Sequence, residues 1–219
     1  MDFTALWLTF KLASVVTFIL LVLCIPFVYF LHFKAGKLKK LIETCVNMPL
    51  VLPPTVLGFY LLLAFGNQSM FGKWFAFLFN TSFVFSFEGI VLASLIYSLP
   101  FMINPVYNAL QSLPKEYTEA SYTMGKTSWH TFLHVLLPNI YSALWVGTIM
   151  TFAHTVGEFG VVLMIGGSIP GVTQVASIAI YNEVEQLNYS SAHTLSFILF
   201  SFSFLVLLLA HLIKRPRLL

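Results

Sequence analysis

Leu113-Pro114-Lys115-Glu116-Tyr117-Thr118-Glu119-Ala120-Ser121-Tyr122-Thr123-Met124-Gly125-Lys126-Thr127-Ser128-Trp129-His130-Thr131-Phe132-Leu133-His134-Val135-Leu136-Leu137-Pro138 lies between two long apolar stretches and reads as helix, tight turn, helix. Pro114 suits the first turn of a helix, and Glu116 complements that helix's positive N-terminal end. Gly125 suits a helix stop at positive φ. Thr127 or Ser128 can cap a second helix that begins near Trp129. The result is an amphipathic protrusion, an element suited to docking in a groove on a soluble partner.

Outward from this loop the chain turns apolar. Of its 219 residues, 58% are hydrophobic and only 9% charged, with mean hydropathy +0.89. A soluble domain carries about a quarter charged residues, because its surface faces water. This surface faces lipid. Five stretches are long enough to cross about 30 Å of hydrocarbon: Trp7–Leu31, Thr44–Phe65, Gly89–Leu110, Ile140–Ile165 and Ala192–Ile213. The expected architecture is therefore all-α, a single membrane domain over residues 1–219 with loop 113–138 projecting from it.

Basic residues orient these spans. Lys34, Lys37, Lys39 and Lys40 follow the first, Lys115 and Lys126 follow the third, and Lys214, Arg215 and Arg217 follow the fifth. Nine of the eleven basic residues thus fall on one side if the span count is five, leaving Lys11 and Lys73. The positive-inside rule makes that side the cytoplasm, with the N-terminus outside and the C-terminus inside. A sixth span over Phe71–Phe87 would break this parity, so that stretch is expected at the interface. The first span is expected to be an anchor and not a cleaved signal, since it lacks a small-residue cleavage site and its charges follow it. Cys24 and Cys45 are expected to be buried apolar groups, not a disulfide.

Several spans are built to bend. The second contains Met48-Pro49-Leu50-Val51-Leu52-Pro53-Pro54-Thr55, Pro100 and Pro105 interrupt the third, and Pro26 lies in the first. Each interior proline removes a backbone hydrogen bond, which membrane helices tolerate beside other helices or a polar cavity. A kinked bundle and a moving pore lining fit these prolines equally. The fourth span carries Thr151-Phe152-Ala153-His154-Thr155-Val156-Gly157-Glu158-Phe159-Gly160. His154 and Glu158, four apart, would share a helical face, and an ionisable pair in a membrane faces a partner or a wet cavity. The span is expected to end near Gly160, with a re-entrant or gate element to Gly171. A buried hydrogen-bonded pair is the plainer alternative. Two ligands are too few for a metal, so none is expected. Pro53, Pro54, Pro100, His154, Thr155 and Glu158 are the candidates for path and gate.

The pattern Glu119-Ala120-Ser121, three residues, Gly125, nine residues, Val135-x-Leu137-Pro138 resembles the EAA loop of permease subunits of bacterial ABC importers, with Ser121 for the third alanine and Val135 for isoleucine. The resemblance implies a type I importer permease whose coupling helix fits a cleft of a partner ATPase through Glu119, Ala120, Ser121, Gly125, Leu137 and Pro138. The second-span motif Met48–Gly58 is similar to that of molybdate permeases. So are the run from His154 to Gly160, Gly167-Ser168-Ile169-Pro170-Gly171, Ala179-Ile180-Tyr181, and the acidic Glu183 and Glu185.

The function implied is import of molybdate, or of the nearly isosteric tungstate, across a bacterial cytoplasmic membrane. An extracytoplasmic binding protein would supply the ion, and a second permease copy would complete a homodimer. A sulfate or other anion permease is the alternative within transport. An intramembrane enzyme using His154 and Glu158 is the distant one, and it lacks a nucleophile. No Gly-x4-Gly-Lys-[Ser/Thr] loop is present, so ATP and magnesium belong to the partner and this chain binds no cofactor. No nucleic-acid partner is expected. The spans contain no arginine, so the path should bind the ion weakly, with Glu158 repelling a dianion and serving gating or packing instead.

Overall fold

The computed structural model describes the backbone of residues 3–212 and side chains through residue 208. Lys214, Arg215, Arg217 and the end of the fifth expected span at residue 213 lie outside the described residues. Twelve α-helical segments are described: α1 Thr4–Phe33, α2 Lys39–Val51, α3 Pro54–Phe65, α4 Met70–Phe79, α5 Phe87–Gln111, α6 Glu116–Thr123, α7 Ser128–Thr131, α8 Leu137–Asn139, α9 Tyr141–Val156, α10 Gly160–Gly166, α11 Ala176–Glu185 and α12 Tyr189–Leu212. No strand occurs among the described residues.

The frame is α1, α5 and α9. On α1 a stripe at helical spacing, Leu12, Val16, Leu20, Cys24, Val28 and Leu31, is fully buried. The opposite face shows Trp7, Phe18, Val22, Leu23 and Phe30 to the surroundings. A soluble protein would not tolerate such an apolar exterior, whereas lipid does. Helix α5 runs parallel to α1. Lys11 Nζ sits 4.3 Å over the Phe87 ring at one end, and Cys24 Sγ meets the Met102 carbonyl at 4.0 Å halfway along. Helix α9 returns antiparallel. A Cβ on Gly147 would stand 3.0 Å from the Met102 carbonyl oxygen, so only glycine lets these backbones approach.

Among the described residues three helices, α1, α5 and α12, are long and apolar enough to span a bilayer unbroken. Two further spans are possible if bent pairs count as one each. Gly36–Val51 and Pro54–Phe65 meet at 114°, and Ser128–Asn139 and Tyr141–Val156 at 74°. The first bend has a local cause. Leu52 and Pro53 both precede a proline, which disfavours the helical region, and both are extended at ψ 135°. Stretch 44–65 is therefore two helices and not one. Stretch 140–165 also divides, because α9 ends at Val156 and α10 begins at Gly160. Helix α4, at ten residues, is only about 15 Å long and too short to cross. It lies at the Phe87 end of the bundle, where Phe65, Phe71, Phe75 and Phe83 cluster. Cys45 is exposed and Cys24 buried, and both are free thiols, so burial holds for one of the two expected positions.

The two ends of the bundle differ in charge. Tyr29, near the end of α1, packs edge-on against Trp129 at 4.7 Å and against Phe132 at 5.5 Å. Lys39 Nζ lies 5.3 Å over the Tyr107 ring. The lysines that follow α1 therefore share one end of the molecule with loop 113–138.

Candidate functional site

Two sites emerge, one at each half of the bundle. The first is the loop. Helix α6 begins at Glu116, two residues after Pro114, with Glu116 and Glu119 in its first turn where the helix dipole favours negative charge. It closes in a Schellman motif: the Gly125 N–H donates to Tyr122 O at 2.9 Å and the Lys126 N–H to Ser121 O at 3.2 Å. Gly125 has φ +73°, and a Cβ there would meet nothing within 4 Å. The requirement for glycine is therefore one of backbone geometry, not of space. Thr127 then caps α7, its hydroxyl accepting from the His130 N–H at 3.3 Å.

What joins the two helices is Ser121. It is 1% exposed, and its hydroxyl lies 2.8 Å from Thr131 Oγ1. Thr131 donates its own proton to Thr127 O at 2.9 Å, so Ser121 must be the donor between the two hydroxyls. The serine at this position thus adds a buried cross-link between the two helices. Glu119 and Ala120 remain exposed on α6, with Tyr117, Tyr122, Met124 and Trp129 around the same protrusion. Beyond α7 the backbone widens into a π-type turn over Phe132–Leu136 before α8. Pro138 explains it: its ring would clash with the carbonyl four residues back in a regular helix, and a wider turn relieves this. The Asn139 amide takes up the Val135 carbonyl at 2.7 Å. Leu137 is half-buried and Pro138 exposed at the start of α8.

The second site is a hollow of about 520 Å³ lined by Pro54, Thr55, Tyr97, His154, Glu158 and Gly160, among others. His154 and Glu158 do not share a helical face, because α9 ends at Val156. A turn, with the Glu158 N–H on Thr155 O at 3.3 Å, carries Glu158 back to the same hollow. His154 stacks on Phe101 at 3.8 Å and lies 4.8 Å from Tyr97. Its Nδ1 is 3.0 Å from Ser98 Oγ, which is 3.0 Å from Thr155 Oγ1. Thr155 also reaches Thr151 O at 2.9 Å. Two hydroxyl protons cannot fill these three contacts. All are satisfied only when His154 carries a proton on Nδ1, which then donates to Ser98.

Glu158 is 3% exposed, and neither of its carboxyl oxygens has a hydrogen-bond partner. Its backbone carbonyl is held by Ser177 Oγ at 2.6 Å. Of the other candidates, Pro54 opens α3 against the hollow, Pro53 is its exposed N-cap, and Pro100 is buried inside α5 away from the lining. Helix α10 packs on α3 through glycines: a Cβ on Gly58 would stand 2.6 Å from Met164 Cβ, and one on Gly160 would stand 2.9 Å from Pro54 Cβ. Ser94, Ser98, Tyr97 and Thr55 complete this region and were not singled out from sequence. Two serines one helical turn apart in an otherwise apolar span were the available signal. Among the described residues no group of three or more His, Cys, Asp or Glu could hold a metal.

The sequence profile of the binding-protein-dependent transport system inner membrane component family matches residues 30–217. The chain belongs to that family. It is a multi-pass membrane permease, a transport component. The molybdenum transport system permease protein ModB of Azotobacter vinelandii is 42% identical to this permease, over 98% of this chain and 95% of that one. A probable sulfate transport system permease protein cysT of Chlorella vulgaris is 34% identical over 78% of this chain and 64% of its own length. Among solved structures, a bacterial ABC transporter involved in the import of alginate matches the permease with TM-score 0.77 at 14% identity, covering 98% of this chain and 79% of that one. The fold is that of ABC importer permeases.

Proposed function

We propose that this permease imports molybdate, or tungstate, as one half of a homodimer, with five spans per chain, its N-terminus outside and loop 113–138 in the cytoplasm. An ATPase subunit grips the α6–α8 protrusion, and an extracytoplasmic binding protein delivers the ion at the opposite end. ATP and magnesium act on the ATPase. The observation that carries this reading is the exposed, glycine-closed helix pair at the lysine-bearing end of the bundle. The substrate class rests on the 42% identity to a molybdenum permease over nearly the whole of both chains.

Mechanically, ATP-driven closure of two ATPases would draw the paired loops together. Helix α9 continues from the protrusion through the 74° bend and ends beside His154 and Glu158. Movement of the loop would then reshape the hollow between α3, α5 and α9. Pro53, Pro54, Pro100, His154, Thr155 and Glu158 are the residues assigned to path and gate.

Sulfate transport is the second reading, favoured by the 34% identity to a sulfate permease. Reconstitution with the cognate ATPase and binding protein, scanning molybdate, tungstate and sulfate, separates the two. Molybdate-stimulated ATP hydrolysis with uptake is the expected result. Sulfate uptake without molybdate uptake would overturn the substrate assignment, and a crosslink placing Glu119 on the side of the binding protein would overturn the orientation.

A further inference from the structure

We propose that Glu158 works as a neutral carboxylic acid that donates a hydrogen bond to the passing oxyanion, a contact group of the path and not a repelling charge. The inference rests on the oxyanion-transport reading above and adds a residue to it.

Both carboxyl oxygens are buried without a partner, in a residue 3% exposed that lines the hollow. Neither lysine nor arginine lines that hollow. An ionised carboxylate in this setting would be a buried charge with no counter-ion and at most one neutral hydroxyl, that of Ser94, to solvate it, a costly arrangement. A protonated carboxyl has an O–H to give and asks for one acceptor. The Ser94 hydroxyl, which has no other partner, stands beside this carboxyl as its side-chain hydrogen-bonding neighbour. Across the hollow, α3 opens at Pro53-Pro54-Thr55 with no side-chain cap; the two prolines have no N–H and the Val56 N–H is taken by Pro53 O at 2.9 Å, so the Thr55 N–H is the one donor this helix start can offer. A carboxyl O–H and the Thr55 N–H are both neutral donors that suit a tetrahedral dianion. An ionised Glu158 would oppose it. The donors are neutral, so the contact stays weak enough to release the ion onward.

The titratable groups around Glu158 are Tyr97 on α5 and His154 on α9, with Tyr181 on α11 further out against Phe159 at 5.2 Å. Helix α3 presents Pro54 and Thr55 to the hollow, and α10 presents Gly160. His154 Nδ1 is already committed to Ser98.

The test uses the permease with its ATPase in proteoliposomes, supplied with molybdate-loaded binding protein, from mildly acid to mildly alkaline pH. Wild-type uptake should fall as pH rises and Glu158 ionises. Glu158→Gln, whose amide stays a neutral donor, should keep uptake within about threefold of wild type at neutral pH and lose the alkaline fall. Glu158→Leu, with no donor, should lose roughly ten- to hundredfold, as for a hydrogen bond to a charged group. The proposal is overturned if the glutamine variant is as impaired as the leucine variant. It is also overturned if the alkaline fall persists in Glu158→Gln, which would assign it to a group other than Glu158. Infrared spectroscopy of the wild-type complex supplies an independent readout. The carbonyl stretch of a protonated carboxyl, absent from Glu158→Gln, should be present at neutral pH, and its absence would sink the proposal even if no variant folds. Failure of wild-type protein to take up any tetrahedral oxyanion would instead refute the transport reading.

Discussion

Gly125 can be perturbed without touching any neighbour, which makes it the sharpest probe of the proposed role of loop 113–138. At φ +73°, with nothing within 4 Å of a Cβ, a substitution is felt only through the backbone. An L-residue in the left-handed region costs roughly 1–2 kcal/mol, and asparagine adopts it more readily than alanine. Proline fixes φ near −65° and also removes the N–H that donates to Tyr122 O at 2.9 Å, which ends the Schellman closure. The expected order of damage is Asn, then Ala, then Pro. For alanine, 1–2 kcal/mol lowers the ratio of formed to opened loop by roughly 5- to 30-fold. Hydrogen exchange over residues 121–131 should accelerate by a similar factor. Molybdate imported per ATP hydrolysed should fall in the same order while the bundle stays inserted. Alanine matching glycine in exchange and coupling, or asparagine proving worse than alanine, would show that the position acts by contact and not by backbone conformation.

Ser121→Ala and Thr131→Val should each weaken the joint, and a double-mutant cycle should return a coupling of about 1 kcal/mol for the shared buried hydrogen bond; additive effects on loop exchange would argue against the cross-link. Thr9→Val should destabilise the α1–α11 contact by roughly 1–3 kcal/mol, because the Ala176 N–H that donates to Thr9 Oγ1 at 2.7 Å would be left buried and unpaired. Thermal unfolding in detergent measures this, and an unchanged midpoint would refute it. Gly58→Ala should force α3 from α10, since its Cβ would lie 2.6 Å from Met164 Cβ. A loss of about 1–3 kcal/mol is expected, with near-normal insertion and reduced uptake, and normal uptake would show that this contact opens in the transport cycle.

Features fixed by neighbouring backbone atoms were legible in the sequence. The stop at Gly125 and the cap at Thr127 depend only on a left-handed residue and a hydroxyl three residues before an N–H. The break at Leu52-Pro53 follows from two consecutive residues that each precede a proline. Its 114° angle was not legible, because the packing of α10 onto Gly58 across about a hundred residues of chain holds α3 in place. The spacing of His154 and Glu158 suggested one helical face. A helix ending at Val156 replaced that face with a turn, and only tertiary contacts such as Ser177 on the Glu158 carbonyl hold it. Burial was the hardest quantity to read. The buried carboxyl of Glu158 and the Ser94 hydroxyl beside it arise where three helices meet, and no local pattern encodes such a meeting.

The two sites are joined by helices of unequal stiffness. Helix α9 runs sixteen residues without an interior proline, and it starts at the bend next to the loop and ends at the hollow. Helix α5, its principal partner, carries Pro100 and Pro105. These deprive the carbonyls of Ile96 and Phe101 of their helical donors, beside the Tyr97, Ser98 and Phe101 side chains that hold His154. A displacement entering at Thr131 would therefore pass along α9 with little loss and be absorbed where α5 yields. That point is the wall of the hollow. The prolines of α5 would then serve less to bend the resting helix than to place its compliance opposite the end of the stiff one. On this reasoning Pro100→Ala should restore a hydrogen bond to the Ile96 carbonyl, raise thermal stability and lower molybdate uptake per ATP hydrolysed. A gain in stability with undiminished uptake would remove the mechanical role of α5.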